Sequence, residues 1–447
     1  MNLILPRGAE RILERLESRG FEAYVVGGCV RDSLLGREPH DWDICTAARP
    51  EQVEDCFRGI PVLETGRKHG TVTVMLEREP YEITTFRVEG PYSDSRHPDS
   101  VTFVPAVEMD LARRDFTINA MAYSPRRGLV DCFDGRGDLQ AKQIRCVGEP
   151  DLRFQEDALR ILRALRFSSS YGFSIETNTG KSIHKNRILL QRIAQERIQA
   201  ELKKFLTGID VEYLLREYSD VLFTVIPELS HLAGFEQKNP HHIFDVWEHT
   251  IHAVGASRRD ELLRLCLLLH DVGKPACCTE DEQGIRHFYG HAKKSAEIAE
   301  LVLRRLRFDA TTIRSVREIV FFHDSRIEPR KPEVRRWLNK VGEKQFRLLL
   351  EVKEADAKAQ VPIFLEQKLQ QLEAVQNVFR EVCAENSCFQ IRDLRVGGRE
   401  LLRLGIPSGP LIGKILKILL QQVIDEEIEN ETEPLLQEAK KIWEDSC

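Results

Sequence analysis

The spacing of apolar residues changes near Asp151, and this change limits the possible folds more than any other feature of the sequence. Before it, segments rich in Val, Thr and Ile and bounded by Gly, Pro or Asp predict β-strands: EAYVVGG, GTVTVMLE, YEITTFRV and VTFVP. After it, apolar residues recur every three or four positions, as at Leu159, Leu162 and Leu165, which predicts helices. The chain is therefore expected to begin with an α/β domain and to continue as helices.

The length of 447 residues allows about three domains of ordinary size. We expect the α/β domain to occupy residues 1–140, followed by helical units at 141–235, 236–362 and 363–447. The segment VPIFLEQKLQQLEAVQNVFREVCAENSC, which opens the last unit, is predicted to form a long helix.

Composition favours a chain that works in the cytoplasm. No apolar run approaches the ~18 residues that a membrane span needs, so no membrane partner is expected. The first residues, MNLILPRGAERILERLESRG, become charged too early for a signal peptide. The eleven cysteines form no Cys-x-x-Cys pair, which favours reduced thiols over a disulfide framework or a thiolate zinc site.

Charge is distributed unevenly along the chain, although the net charge is only −6. Between Ala158 and Lys204 there are ten Lys or Arg residues and three acids. From Asp425 to the end, nine acids face two lysines, so an acidic end hides a basic middle. The basic stretch is consistent with a solvated helix face, but phosphate binding is slightly favoured because of the motifs beside it.

Two aspartates, Asp41 and Asp43, lie in the segment HDWDICTA, which we expect to be a strand. Side chains two apart on a strand point to the same face, so the carboxylates should project together, with Trp42 turned away. Adjacent carboxylates repel unless a cation lies between them, and Mg²⁺ prefers carboxylate and phosphate oxygens. The pair therefore suits a two-metal phosphoryl transfer, with Asp41 and Asp43 as both metal ligands and catalytic residues.

A glycine turn precedes this pair, and the combined spacing of Gly-Gly-x-x-Arg-Asp and Asp-x-Asp is more specific than either part alone. The amides of Gly27 and Gly28 could hydrogen-bond a triphosphate, and Arg31 could add a charged fork. Glu82 is a candidate third carboxylate, and it is equally consistent with an ordinary strand-surface residue.

The segment QEDALRILRALRF predicts one helix with Asp157 near its start, Arg160 on the same side and Arg163 extending the row. Asp accepts hydrogen bonds and Arg donates them. Cytosine and adenine both present an amino donor beside a ring-nitrogen acceptor, whereas uracil and guanine present a carbonyl to the Asp. One Asp–Arg pair could therefore accept C and A and reject U and G; the alternative is an intrahelical salt bridge.

These motifs resemble the class II tRNA nucleotidyltransferases (CCA-adding enzymes) and the related bacterial poly(A) polymerases. The similarity rests on VVGGCVRDSLLG, HDWDICTAARP, DLARRDFTINAMAY and EDALRILRALRFSSSYGF. It implies an elongated multidomain chain: an α/β nucleotidyltransferase head with a mixed sheet at 1–140, an all-α neck and body at 141–235, and a tail at 363–447. Mg²⁺, CTP, ATP and the tRNA 3′ end would be its cofactor and partners, with no DNA.

The resemblance also implies further nucleotide-binding residues. Arg114 and Asp115 of RRDFTINAMAY would contact the sugar, with Asn119 beside them; the less favoured alternative for Asp115 is a structural cap. Arg166 would lie at the nucleotide. DCFDGRGDL resembles the hinge between head and neck, with Gly135 and Gly137 allowing the turn, but it has Asp134 where a glycine is usual.

Histidines and aspartates in residues 236–362 resemble the HD phosphohydrolase superfamily, through DVWEHTIHAV, RLCLLLHDVGKPA, GHAKKSAEIAE, IVFFHDS and VKEADAKAQ. The resemblance makes four residues ligands of one divalent ion (Mn²⁺, Ni²⁺, Fe²⁺ or Mg²⁺): His249, His270, Asp271 and Asp356. His291 and His323 match residues that hold a second ion in some relatives, and Lys274 could bind phosphate. This domain would be either a phosphodiesterase or phosphatase acting on RNA ends, or a scaffold.

The leading interpretation is a nucleotidyltransferase that adds C and A to the tRNA 3′ end from CTP and ATP without a nucleic-acid template. The alternatives are an enzyme that adds only A or only CC, a poly(A) polymerase, and a protein that is mainly an HD phosphohydrolase. The acidic C-terminus is unlike that of a poly(A) polymerase, and the full-length segment GPYSDSRHPD argues against a CC-only enzyme.

Overall fold

The computed structural model describes residues 3–64, 66–90, 100–239, 243–385 and 387–445. The chain divides into two compact units, Met1–Pro227 and Glu228–Cys447. Most of GPYSDSRHPD, on which the argument against a CC-only enzyme rests, lies outside the described residues. The finer division into four domains remains a prediction.

The first unit starts with a helix and a mixed sheet, as predicted. Its strands are β1 (Ala23–Val26), β2 (Ile44–Thr46), β3 (Val62–Leu63), β4 (Thr71–Leu76), β5 (Glu79–Thr85), β6 (Arg87–Glu89), β7 (Val101–Phe103), β8 (Ala122–Ser124) and β9 (Gly128–Val130). Its helices are α1 (Arg7–Ser18), α2 (Gly28–Leu34), α3 (Pro50–Cys56), α4 (Val107–Ala112) and α5 (Gly135–Ala141). The main sheet has the order β3-β4-β5-β2-β1-β8-β9, and β6 pairs with β7 in a separate hairpin.

The sheet is mixed because β2 pairs in parallel with β5, whereas its other pairs are antiparallel. In β4, the alternate residues Val72, Val74 and Leu76 are buried, as expected for a strand with one face against a core. The parallel pair matters for the site because it places the start of β2 beside Ile83 in the second half of β5.

The rest of the first unit is mainly helical, with two short strands, β10 (Gln143–Ile144) and β11 (Ser174–Ile175), that pair in parallel. Its helices are α6 (Pro150–Glu156), α7 (Leu159–Tyr171), α8 (Thr177–Asn186), α9 (Gln195–Leu206), α10 (Val211–Glu217) and α11 (Ser219–Val225). The single helix predicted for QEDALRILRALRF is wrong: the backbone is extended at Asp157, between α6 and α7. The cause is local, since the Asp157 carboxylate accepts a hydrogen bond from the Leu159 amide at 3.0 Å and so competes with helix continuation.

The hinge prediction also needs a correction, because Gly135 and Gly137 lie inside α5. The left-handed residue is Asp134, at φ 58°, the position where the related proteins usually have glycine. Asp tolerates this conformation better than most residues. Gly135 is needed for close approach instead, since a Cβ there would lie 2.2 Å from the Thr117 carbonyl oxygen.

The second unit is mainly helical. It contains the short strands β12 (Thr279–Glu280) and β13 (Arg286–His287), which form a hairpin. Its helices are α12 (Val246–Ala256), α13 (Glu261–Leu269), α14 (His291–Arg305), α15 (Ala310–Phe322), α16 (Lys331–Val341), α17 (Glu343–Lys358), α18 (Pro362–Ala384), α19 (Gly398–Arg403), α20 (Pro410–Ile424) and α21 (Thr432–Glu444). The long helix predicted after Val361 is α18, and α19–α21 pack around a core that includes Leu401, Leu419 and Leu435.

No helix among the described residues is long and apolar enough to cross a membrane.

Candidate functional site

Asp41 and Asp43 precede β2 rather than lying within it, which corrects the predicted strand. The strand pairing nevertheless extends back to Asp43, whose carbonyl oxygen accepts from the Val26 amide at 2.9 Å. Burial begins directly after the pair: His40 is exposed and Trp42 half-buried, whereas Ile44 and Cys45 are buried in the sheet.

Glu82 lies beside Asp43 because of the parallel pairing of β2 and β5. Ile44 is opposite Ile83 in this pair, and both are buried. Asp43 and Glu82 each come one residue earlier, so they share the opposite, solvent-exposed face. The structure thus brings the third candidate carboxylate to the predicted pair.

The three carboxylates interact with one another and with Arg114. Although the Asp43 side chain is exposed, surrounding protein atoms displace enough water to raise its pKa. The Arg114 guanidinium lowers that pKa, and the negative charges of Glu82 and Asp41 raise it again. Such a cluster favours a cation. Among the described residues, however, the three do not bring their oxygens within 4.8 Å of one another as a metal-ligand group.

Gly27 is held close to Arg114. Its φ is 80°, and a Cβ at this position would lie 2.7 Å from Arg114 Nη1, so both backbone and space require glycine. The Gly27 amide donates to the Met121 carbonyl at 3.0 Å. This amide is therefore engaged in the fold, contrary to the expectation that it binds phosphate. Gly28 begins α2, where first-turn amides lack an intrahelical acceptor.

Arg31 is buried and has three kinds of partner. It donates to both carboxylate oxygens of Asp32, each at 2.9 Å, and to the side-chain oxygen of Asn119. Its guanidinium carbon also lies 4.9 Å from the ring centre of Tyr171, whose hydroxyl donates to Asp32 at 2.9 Å. Arg31 therefore joins the glycine motif to Asn119 and to the end of α7. This structural role was not predicted; the sequence suggested only a contact with phosphate.

Five of the predicted nucleotide-binding residues line one cavity of about 530 Å³ in the first unit, which we call the nucleotide cavity: Arg114, Asp115, Asp157, Arg160 and Arg163. Pockets for small molecules typically have about 300–1,000 Å³. The predicted residues Gly27, Gly28, Arg31, Asn119 and Arg166 are not part of its lining.

Asp115 lies at the centre of a buried hydrogen-bond chain. Its carboxylate accepts from the Phe116 amide, from Asn119 Nδ2 at 3.0 Å and from Arg163 Nε at 2.8 Å. Burial by itself would raise the pKa of Asp115, but Arg163, the Asn119 hydrogen bond and Arg160 hold it well below its usual value. The Phe116 contact is a local hydrogen bond to the next residue and not a helix cap, since the short 3-10 helix Thr117–Asn119 has no side-chain cap. Asp115 also lines the cavity.

Asp157 and Arg160 do not pair with each other. Asp157 Oδ2 accepts from Arg197 Nη2 at 2.8 Å, and Arg160 Nη1 pairs with Glu156 at 2.7 Å. Arg160 also donates to the Arg113 carbonyl at 3.1 Å. The intrahelical salt bridge between Asp157 and Arg160 is therefore wrong, and each side chain is instead held beside the cavity by a different partner.

Arg166 lies on α7, the helix that carries Arg160 and Arg163, and it is not part of the cavity lining. Its Nε lies 2.8 Å from Glu201 Oε2 on α9, without hydrogen-bond geometry. The same carboxylate is 4.0 Å from Arg163. Glu201 thus contacts both Arg163 and Arg166.

Sequence reasoning missed several residues of this region. His69, Arg87 and Glu89 line the nucleotide cavity, and Glu89 accepts from Arg113 at 2.7 Å. Arg197 was counted only as one charge of the basic stretch. The available signal for it was weak, since ten basic residues in that stretch offer many pairings.

The second unit gathers all six predicted HD ligands into one place, which we call the histidine–aspartate cluster: His249, His270, Asp271, His291, His323 and Asp356. They come from helix ends and helix faces far apart in the chain. His249 lies on α12, the His270–Asp271 pair follows α13, and Asp356 lies on α17. His249 is fully buried and approaches Asp356 Oδ1 at 2.9 Å.

The four imidazoles share one hydrogen-bonding arrangement. Each Nδ1 faces a backbone carbonyl oxygen, at distances between 2.6 and 3.1 Å. A proton on Nδ1 leaves Nε2 as a lone pair, which is how a histidine is prepared to bind metal. The Nε2 atoms of His249 and His270 are 3.2 Å apart, as are those of His291 and His323. Two lone pairs at this distance repel unless a cation lies between them.

Asp271 connects two groups of possible ligands. It forms one with His249 and His270 and another with His291 and His323, in each of which the ligand atoms lie within 4.8 Å of one another. Its side chain is buried, with Oδ2 3.1 Å from His270 Nε2 and Oδ1 3.4 Å from His291 Nε2. Burial would lower the pKa of His270, but Asp271 and Asp356 raise it to about 10. The cluster thus requires positive charge, and its donors suit divalent ions.

Lys274 follows the His270–Asp271 pair and is buried. Its Nζ lies 2.7 Å from Asp271 Oδ2 and donates to Gln237 at 2.8 Å. The lysine therefore faces the cluster, and its contact with phosphate remains a prediction.

Three family models match the chain. The Poly A polymerase head domain matches residues 23–145, and the model described as a probable RNA and SrmB-binding site of polymerase A matches residues 172–232. The putative tRNA nucleotidyltransferase domain 2 matches residues 278–439. The first match contains Asp41, Asp43 and Glu82.

The chain is similar over nearly its whole length to the CCA-adding enzyme of Latilactobacillus sakei, with 34% identity over 440 residues, 96% of each chain. It is also similar to the crystal structure of the Bacillus stearothermophilus CCA-adding enzyme in complex with CTP, at 29% identity, with a TM-score of 0.71 and coverage of 99% and 100%. The Thermotoga maritima CCA-adding enzyme complexed with tRNA-CCA shares the fold, with 21% identity, a TM-score of 0.59 and coverage of 97% and 94%.

Proposed function

The chain belongs to the CCA-adding enzyme family, and we propose that Asp41, Asp43 and Glu82 carry its nucleotidyl transfer. It is a nucleotidyltransferase that adds C and A to the 3′ end of tRNA from CTP and ATP. The observation that carries the residue assignment is the register of β2 and β5, which puts Asp43 and Glu82 on one exposed face. Asp41 lies close enough to Asp43 to raise its pKa.

In this reaction the tRNA 3′ hydroxyl attacks the α-phosphate of the incoming nucleotide, and pyrophosphate leaves. Nucleotidyltransferases of this fold use a divalent metal, typically Mg²⁺, which supplies charge neutralisation and a more acidic attacking hydroxyl when carboxylates such as these hold it. We assign to Arg114 the role of balancing charge beside Asp43, and to the first-turn amides of α2, including that of Gly28, contact with the triphosphate.

We propose that the nucleotide cavity selects the base and the sugar. Asp157 would accept from the amino group shared by cytosine and adenine, and Arg160 would donate to the adjacent ring nitrogen. Arg197 and Glu156, their ion-pair partners, would hold these two side chains in place. Arg114 and Asp115 line the same cavity and would contact the ribose.

The tRNA would be held through its backbone by the basic stretch, where the match to an RNA-binding family model at residues 172–232 supports this role. Most of the basic residues there are ion-paired, but Lys181, Arg192 and Lys204 are exposed at the surface. Backbone contacts of this kind recognise shape and charge rather than sequence. We also propose that the chain acts in the cytoplasm, which the free cysteines of the described residues support.

A second candidate function is metal-dependent hydrolysis of phosphate esters at RNA ends by the histidine–aspartate cluster. Two observations favour it over a scaffold role: the Nδ1 atoms of all four imidazoles face backbone carbonyl oxygens, and the buried Asp271 belongs to both groups of possible ligands. We propose that His249, His270, Asp271 and Asp356 hold one divalent ion and that Asp271, His291 and His323 hold another. Such ions would polarise a phosphate ester and activate water.

Labelled CTP and ATP, offered to tRNA that lacks its 3′ end, test the transfer function. We expect both labels to enter in the presence of Mg²⁺, with C added before A. Incorporation of ATP alone would replace this conclusion with an A-adding enzyme, and incorporation of CTP alone with a CC-adding one. Long runs of A would identify a poly(A) polymerase.

A further inference from the structure

Two cavities open on the histidine–aspartate cluster. The aromatic cavity, of about 430 Å³, is lined by His287 and Tyr289 among others. The lysine cavity, of about 210 Å³, is lined by Lys353 and Lys368 among others. The residues that line both are His323, Asp324, Asp356 and Gln360. A ligand at the cluster can therefore extend to both sides.

The aromatic cavity presents an open ring face. Tyr289 is 79% exposed. Its ring lies parallel to that of His287, with 5.5 Å between centroids and 6° between planes. The His287 ring is fixed by a contact of 2.8 Å from Nε2 to Asp281. Aromatic faces of this kind stack on nucleobases, whatever the base, because every base has a π-face.

The lysine cavity presents positive charge that is linked to the cluster. Lys353 Nζ donates to the carbonyl oxygen of His323 at 2.6 Å. Lys368 donates to Gln360, which in turn donates to both carboxylate oxygens of Asp356 at 3.1 Å. Arg326 also lines this cavity. Besides Asp356 of the cluster, the lining contains the carboxylate of Asp324. Three cations beside the cluster suit an anionic group next to the one at the metal ligands.

We propose that this site takes an RNA 3′ end with a terminal phosphate: the terminal base stacks on Tyr289, and the preceding phosphodiester lies beside Lys353 and Lys368. The inference rests on the phosphohydrolase function proposed above and specifies its substrate as at least a dinucleotide. In the hydrolysis, the oxygen of water bonds to phosphorus and the P–O3′ bond breaks. The leaving 3′ oxygen takes a proton from the water, which gives RNA with a 3′ hydroxyl and inorganic phosphate. A 3′ hydroxyl is also the group that nucleotide addition consumes.

The test is a binding titration of the full chain, loaded with Mn²⁺ and read by rapid mixing before hydrolysis proceeds, against three ligands. Glycerol 2-phosphate carries only the phosphate, 3′-CMP adds a base, and CpCp adds a second phosphate and nucleoside. We expect Kd to fall about tenfold at each step, in line with the strength of base stacking and phosphate contacts. The same titration of Asp271→Ala measures binding to the nucleotide cavity alone. This binding is subtracted from that of the wild-type chain.

Single substitutions test the aromatic cavity and the lysine cavity separately. Tyr289→Ala should remove the gain from glycerol 2-phosphate to 3′-CMP, and Tyr289→Phe should keep it. Lys368→Gln should remove the gain from 3′-CMP to CpCp, and Lys368→Arg should keep most of it. All four variants should add C and A to tRNA at the wild-type rate, and they should bind as much Mn²⁺ as wild type, which shows that the second unit folds.

The outcomes distinguish this inference from the function on which it rests. If the three ligands bind the wild-type chain equally, if none binds, or if Tyr289→Ala and Lys368→Gln change nothing, the inference is overturned. If the binding pattern holds but no phosphate is released from CpCp, hydrolysis is wrong and the recognition of an RNA end stands.

Discussion

Arg163 of α7 donates to the carboxylate of Asp115 at 2.8 Å from Nε, and its Nη2 lies 2.6 Å from the same oxygen. These residues are 48 positions apart and belong to two different motifs, RRDFTINAMAY and EDALRILRALRF. The contact fixes the helix that carries Arg160 against the strand-rich part of the first unit. It therefore sets the geometry of the nucleotide cavity.

Asp115→Asn should lower the free energy of unfolding. Breaking a buried ion pair costs about 3–5 kcal/mol, but Arg163 is about a third exposed, so solvent screening reduces the expected loss to about 1–3 kcal/mol. Urea titration at pH 7 measures it. Glu212→Gln, which breaks an exposed pair with Arg216, should change stability by less than about 0.5 kcal/mol.

The Asp115–Arg163 ion pair also predicts that the free energy of unfolding depends on pH. The pKa of Asp115 is held well below its usual value in the folded chain, so its stabilisation is complete above the unfolded pKa of about 3.9. The stabilisation declines as pH falls below that value toward the folded pKa. The difference in stability between wild type and Asp115→Asn should thus be constant from pH 5 to 7 and shrink below about pH 4. A difference that grows with acid would contradict the ion-pair assignment.

Asp157→Ala should weaken base selection more than it weakens nucleotide binding. A lost or mismatched buried hydrogen bond is worth about 1–3 kcal/mol, or about 5- to 150-fold. The ratio of kcat/KM for CTP over UTP should fall by that factor. Asp151→Ala is the matched control: it removes an acid of α6 that pairs with Lys185 and does not line the cavity. An unchanged ratio in Asp157→Ala would remove Asp157 from base reading.

Metal content should depend on Asp271 more than on any histidine of the cluster. Because Asp271 belongs to both ligand groups, Asp271→Ala should lose both bound Mn²⁺ ions, whereas His323→Ala should lose one. Elemental analysis after gel filtration measures this, and addition of CTP to tRNA should persist in both variants. His252→Ala is the control, since His252 lies on α12 near His249 but pairs with Glu248. Equal metal content in all the variants would exclude the cluster as a metal site.

The sequence was informative where one motif carries its own geometry. The clustering of Asp41 and Asp43 could be predicted because their spacing is a local pattern. The mixed sheet and the six separated residues of the histidine–aspartate cluster were predicted only through the resemblance of short motifs to known families. The partners of Asp157 and Arg160 could not be predicted. Among many nearby charges, the choice of Arg197 and Glu156 depends on where α9 packs and on a helix break that Asp157 itself causes.

Packing also explains why the left-handed turn residue is Asp134 and not Gly135, which the sequence could not show. A glycine-rich segment indicates flexibility, but packing against Thr117 decides whether a glycine serves for a turn or for close approach. Glu201 was also hidden, because its value as a partner of Arg163 and Arg166 appears only when α7 and α9 are side by side.

The central claim is that the acidic face formed by Asp41, Asp43 and Glu82 performs the addition of C and A. Single-turnover incorporation of labelled CTP into tRNA that lacks its 3′ end tests it directly, with Asp43→Asn compared with Glu79→Gln, an exposed residue at the start of the same β5 strand that carries Glu82. We expect the rate to fall at least about 100-fold in Asp43→Asn, as for loss of a metal-binding group, and to remain at the wild-type value in Glu79→Gln. Incorporation by Asp43→Asn at the rate of the control would contradict the account.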